Sequence, residues 1–169
     1  MGAKYDFCGY ATRNNILCAD GRTIRKDAFI DNDGKTVPLV WQHIHDDPGN
    51  VLGHALLENR EDGVYTYGSF NDTEAGRNAK ELVEHGDVVA LSIYANKLKH
   101  QGKDVIHGQI REVSLVLAGA NPGAYIEALN IEHSEDQDPE EAIVYEDDEI
   151  FEIYHADENG GDGNKQSES

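Results

Sequence analysis

The apolar and polar positions of the chain fall into many short stretches with a period of two and one longer stretch with a period near 3.6. The densest is Val88-Val89-Ala90-Leu91-Ser92-Ile93-Tyr94-Ala95. Its β-branched and apolar content predicts a strand. Val89, Leu91, Ile93 and Ala95 fall on one face, and Val88, Ala90, Ser92 and Tyr94 on the other. Tyr5–Thr12, Val37–Trp41 and Asp104–His107 read as further strands, and so does the long run Gln109–Ala118. Val51–Glu58 and Gly63–Phe70 predict a hairpin. Thr23–Phe29 is expected to form a short strand or a helical turn, and Lys97–Lys103 an exposed hairpin loop. Ala124–Asn130 is expected as a brief closing turn or helix.

The clearest helix spans Asp72–His85. Ala75, Ala79, Leu82 and Val83 make its apolar stripe, Asp72 or Thr73 can cap it, and Gly86 can end it. About seven strands and one firm helix predict a mainly β domain.

Charge changes this picture at one end. The net charge is −19 over 169 residues, and residues 132–169 alone carry 15 Asp and Glu against one Lys. A near-neutral body therefore carries an acidic tail. Without a basic patch to neutralise phosphates, no nucleic-acid partner is expected. No apolar run approaches the ~18 residues of a membrane helix, so no membrane span is expected. Met1-Gly2-Ala3-Lys4-Tyr5 lacks the apolar core of a signal peptide. Cys8 and Cys18 have the count for one structural disulfide, but two free thiols of a reducing cytoplasm are the simpler reading. In the tail, Ala142-Ile143-Val144-Tyr145 and Ile150-Phe151-Glu152-Ile153-Tyr154 could dock or fold on a partner, and the residues beyond Glu158 are expected to be disordered.

Ser92 is a lone hydroxyl in the centre of an apolar strand. Most such hydroxyls simply bond a neighbouring carbonyl. A nucleophilic role requires a neutral imidazole to take the proton and a third group to hold that imidazole. His43, just past the apolar strand Val37–Trp41, is the candidate base. Glu112, in mid-strand on the same face as Ser114, is a candidate holder, and His107 is its rival. The same histidines suggest another chemistry. His43 and His45, with His54, Asp46 or Asp47, have the residue types of a metal-dependent hydrolase. A continuing strand would send His43 and His45 to opposite faces.

Three blocks of the chain resemble, in order and spacing, those of the tailed-phage prohead proteases. The first is Val37-Pro38-Leu39-Val40-Trp41-Gln42-His43 with Asn50-Val51-Leu52-Gly53-His54-Ala55. The second is Leu91-Ser92-Ile93 after the helix ending Leu82-Val83-Glu84-His85-Gly86. The third is Arg111-Glu112-Val113-Ser114-Leu115-Val116 with Ala120-Asn121-Pro122-Gly123-Ala124. The resemblance runs from about Tyr5 to Leu129. It departs at Tyr94, where many members have a glycine after the isoleucine.

The resemblance implies a compact mixed β-barrel with a few covering helices, similar to the herpesvirus assembly proteases. It implies a serine endopeptidase with Ser92 as nucleophile, His43 as base and Glu112 as third member. The herpesvirus enzymes use a histidine third, which keeps His107 open. Backbone amides, with Arg111 as a helper, are the candidate oxyanion donors. The implied substrates are the scaffold or propeptide region of the major capsid protein and the protease itself. The implied place is the prohead assembling in the host cytoplasm, with a homodimer as the expected self-association. No metal or organic cofactor is required. Residues 1–130 would be the protease domain and 131–169 a largely flexible tail. The rival function is a non-catalytic scaffold or coat-protein-binding module.

Overall fold

The computed structural model describes residues 3–133. The tail beyond His133, and the expectations made for it, lie outside the described residues. Eight strands form one mixed sheet that curls into a barrel: β1 (Ala3–Arg13), β2 (Thr23–Ile24), β3 (Thr36–Trp41), β4 (Val51–Arg60), β5 (Gly63–Phe70), β6 (Ala90–Gln101), β7 (Asp104–Val116) and β8 (Ile126–His133). One helix, α1 (Glu74–Glu84), lies between β5 and β6.

Most neighbours are antiparallel, but β7 carries two parallel partners, β2 near its start and β3 near its end. The order runs β6-β7-β3-β4-β5-β1-β8. The ends of this path meet, because Leu91 N–H donates to the Ala124 carbonyl and Ile126 N–H to the Val89 carbonyl. Between β2 and β3 the open edge of β7 is filled by a side chain. The buried carboxamide of Asn32 donates to the Ile110 carbonyl (3.0 Å) and accepts from its N–H (2.8 Å), replacing a missing strand.

The barrel interior holds Phe7, Phe29, Leu39, Leu57, Leu91, Ile93, Val113 and Leu115, all nearly or fully buried. Leu91, Ile93 and Ala95, which share a face of the Ser92 strand, are all in this core. Thr73 caps α1 by accepting from the Gly76 N–H, and Gly86 ends it at φ +80°.

Thr23–Phe29 forms a two-residue strand followed by a turn, in line with the short strand or turn expected there, whereas three other expectations are corrected. Asp104–His107 and Gln109–Ala118 form one strand that passes through Gly108, where any side chain would meet Leu98 and Phe29. Lys97–Lys103 is not a loop, because β6 continues to Gln101 and turns only at Gly102. Ala124–Asn130 is not a closing turn, because β8 begins at Ile126 and pairs along β1 to Ala3↔His133. Its last three residues belong to the stretch read as tail, and Ile131 is buried there.

Candidate active site

β3 ends at Trp41, and the next two residues, Gln42 and His43, take left-handed backbone angles (φ 54° and 61°). Such angles are costly for residues with a Cβ and persist only where the surroundings impose them. Here they are imposed several times. Gln42 N–H donates to the Leu115 carbonyl (3.0 Å), and Gln42 Oε1 accepts from Leu117 N–H (3.0 Å). Asn50 Nδ2 donates to the carbonyls of Trp41 (2.8 Å) and Ile44 (2.9 Å). His43 N–H donates to Ser114 Oγ (3.0 Å). The strand thus stops being a strand at the histidine. His43 and His45, expected on opposite faces, reach the same carboxylate.

That carboxylate is Glu112, its side chain 3 % exposed. The β6–β7 ladder slips beside it: Tyr94 faces Glu112 and Ala95 faces Ile110, so that Arg111 is an extra residue on β7. Bulges of this kind re-aim side chains beside functional sites. Ser114 Oγ donates to Glu112 Oε1 (2.9 Å), and Glu112 Oε2 lies 3.1 Å from both His43 Nδ1 and His45 Nδ1. A carboxylate can only accept, so each of these nitrogens carries its hydrogen. His43 Nε2 therefore presents its lone pair, and it lies 2.7 Å from Ser92 Oγ. A hydroxyl, an imidazole in the basic tautomer and a buried carboxylate stand in line. Such a line can take a proton from the hydroxyl and stabilise the resulting imidazolium.

The sequence candidates divide cleanly. Ser92, His43 and Glu112 come together. His107 lies away from them, with Nε2 3.6 Å from Asp31 Oδ2. His54 is exposed on β4 opposite Pro38 and Ser69. Among the described residues, no three His, Cys, Asp or Glu side chains form a group that could hold a metal. Arg111 is exposed and lines a surface cavity of about 230 Å³ with Asp31, Asn32 and Lys35. A cavity of about 460 Å³ beside the start of α1 contains none of the candidate residues.

Sequence reasoning gave no role to Ser114 or to the carboxylate contact of His45. The signal for Ser114 was present, because it shares the predicted face of Glu112. No glycine or asparagine announced the left-handed turn that brings His45 in. Asn121 of the third block has a structural reason. It is buried, its Nδ2 donates to Thr12 Oγ1 (3.0 Å) and the Arg13 carbonyl (2.9 Å), and its Oδ1 accepts from Gly123 N–H (2.9 Å). It pins the loop that leads from β7 into β8.

A family model described as caudovirus prohead serine protease matches residues 3–138. The chain belongs to this family. The prohead protease also shares its fold with a KSHV protease, solved in complex with a hexapeptide phosphonate inhibitor. The TM-score is 0.53 at 14 % sequence identity, over 83 % of this chain and 68 % of that one. No curated protein matches the chain significantly. The prohead protease is thus a serine protease of capsid maturation that acts in the assembling phage head, and the reading as a non-catalytic binding module falls away. Capsid protein is its general class of substrate. Both cysteines are buried and neither forms a disulfide among the described residues, and no helix among those residues is long and apolar enough to cross a membrane.

Proposed function

We propose that Ser92 is the nucleophile of this prohead protease, His43 its general base and acid, and Glu112 the group that orients His43. The observation that carries this reading is the position of one imidazole. His43 lies 2.7 Å from Ser92 Oγ through Nε2 and 3.1 Å from Glu112 Oε2 through Nδ1. Ser92 Oγ attacks the scissile carbonyl carbon while its proton passes to His43 Nε2. The imidazolium then returns that proton to the leaving amine, and water repeats the cycle to release the acyl group. Glu112, shielded from water, stabilises the imidazolium at each stage.

The substrates we assign are the scaffold or propeptide region of the major capsid protein and the protease itself. Autocleavage would fall in the acidic tail beyond β8, so that the protease domain set at residues 1–130 keeps the strand residues 131–133 as well. A homodimer is the expected assembly.

Intact mass after co-expression with the capsid-protein gene of the same genome tests this reading, for wild type and Ser92→Ala. Shortened coat protein and a shortened protease with wild type alone are expected. Cleavage that survives in Ser92→Ala would overturn the assignment of the nucleophile.

A further inference from the structure

The orienting carboxylate has two more partners than a serine–histidine–carboxylate line needs, Ser114 and His45. Glu112 Oε2 receives the Nδ1–H of His45 at 3.1 Å, the same distance as that of His43, while Oε1 is held by Ser114 at 2.9 Å. His45 is the outer member of this group, its side chain 44 % exposed against 8 % for His43. Its ring is stacked on Tyr94, with centroids 4.7 Å apart and planes 27° apart. Tyr94 faces Glu112 across the ladder, so strand pairing fixes the plate on which His45 rests.

We propose that His45 is a positioning residue. Lying on Tyr94, it clamps Glu112 so that Oε2 stays aimed at His43. This rests on the assignment of Ser92, His43 and Glu112 above. The physical ground is the broad torsion of a glutamate carboxylate about its last bond. Ser114 and His43 alone hold the group at two points, and the His43 bond changes character as that ring gains and loses a proton. A third donor anchors the carboxylate throughout the cycle. His45 touches no reacting atom, so it acts through Glu112 alone.

The test uses the full chain and a fluorophosphonate probe. The probe's P–F bond breaks as Ser92 Oγ bonds to phosphorus, with the hydroxyl proton passing to His43 and fluoride leaving. Intact mass reports the rate. His45→Ala is expected to lower the maximal labelling rate about tenfold, the effect of one charge-assisted hydrogen bond, with the half-saturating probe concentration unchanged. His45→Asn, whose Nδ2–H lies close to the position of Nδ1–H, is expected to recover most of that rate. In a Glu112→Ala background, His45→Ala should cost nothing further. Labelling of His45→Ala at the wild-type rate overturns the proposal while leaving the triad reading intact. So does an Asn variant no better than Ala, or an undiminished effect in the Glu112→Ala background. Wild type that is not labelled at Ser92 overturns the triad reading and, with it, any function for the clamp.

Discussion

The barrel buries two glutamates, and they are treated differently. Glu127 on β8 accepts from Tyr65 Oη (2.9 Å) and from Arg13 Nη2 (3.2 Å). Its cation is permanent, since an arginine does not lose its proton in proteins. Arg13 in turn lies over the Tyr10 ring, 4.2 Å from its centroid, and Arg60 lies over Tyr65 at 3.6 Å. Among the described residues, Glu112 on β7 has no arginine or lysine as a partner. It is held by a hydroxyl and two imidazole N–H groups, hydrogen-bond donors that are not fixed cations. A carboxylate closed off by a fixed charge is a structural bolt. One whose charge is not cancelled by a fixed cation can respond to a reaction next door.

The largest effect expected from this contrast is at the end of the Glu112 chain. Ser92→Ala and His43→Ala should each lower fluorophosphonate labelling or peptide cleavage by at least about four orders of magnitude. Their thermal unfolding should stay close to wild type. Next comes the paired test of the two glutamates. Glu112→Gln should cost about three to four orders of magnitude in kcat, because an amide cannot stabilise the imidazolium. Glu127→Gln should leave kcat unchanged and lower stability by about 1–3 kcal/mol in urea titrations, since Arg13, 31 % exposed, can turn to water. Equal losses of activity in the two variants would erase the distinction.

Ser114→Ala sharpens it. The hydroxyl bonds both Glu112 and the His43 backbone, so about tenfold in kcat and about 1–2 kcal/mol of stability should be lost together.

The smallest effect separates the two regions by pH. Beside Glu127, burial pushes the Cys8 thiol up from 9.0 to about 11, and burial also raises Tyr65 and Tyr67 well above the usual phenol range. Burial likewise pushes Cys18 up to about 12. These acids hold their protons more tightly folded than unfolded. Their contribution to stability is complete below about pH 9, and for Cys8 it is lost as pH rises from 9 to 11. Urea midpoints measured from pH 8 to 11 should fall across that window, and Cys8→Ala should flatten part of the slope.

The legible parts of the molecule are those where a local pattern and the global structure agree. Period-two alternation exposed the Ser92 strand and the β4–β5 hairpin, and a capped apolar stripe exposed α1. An apolar strand running into a histidine pointed to His43, and a lone acid in an apolar strand pointed to Glu112. Each is a departure visible against its immediate neighbours. What could not be read depends on partners distant in sequence. β8 looks like a turn because Glu127 interrupts its alternation, and only Tyr65 and Arg13 reveal why a charge is buried there. The long β7 looks like two strands because Gly108 breaks the run, and only Leu98 and Phe29 show that the glycine makes room. The meeting of His45 with Glu112 follows from two left-handed residues that carry no turn signature.

The pairing of β1 with β8 has a consequence for the life of the chain. β1 finds its second neighbour only in residues 126–133, and β6, which carries Ser92, is closed by Ala124 and Ile126. On the ribosome, every earlier strand is synthesised before the seam can shut, and contacts so far apart in sequence form slowly. A growing chain therefore cannot assemble the closed barrel around Ser92 until it has been extended past β8. The topology itself sets closure of the barrel as a late event in the life of each chain.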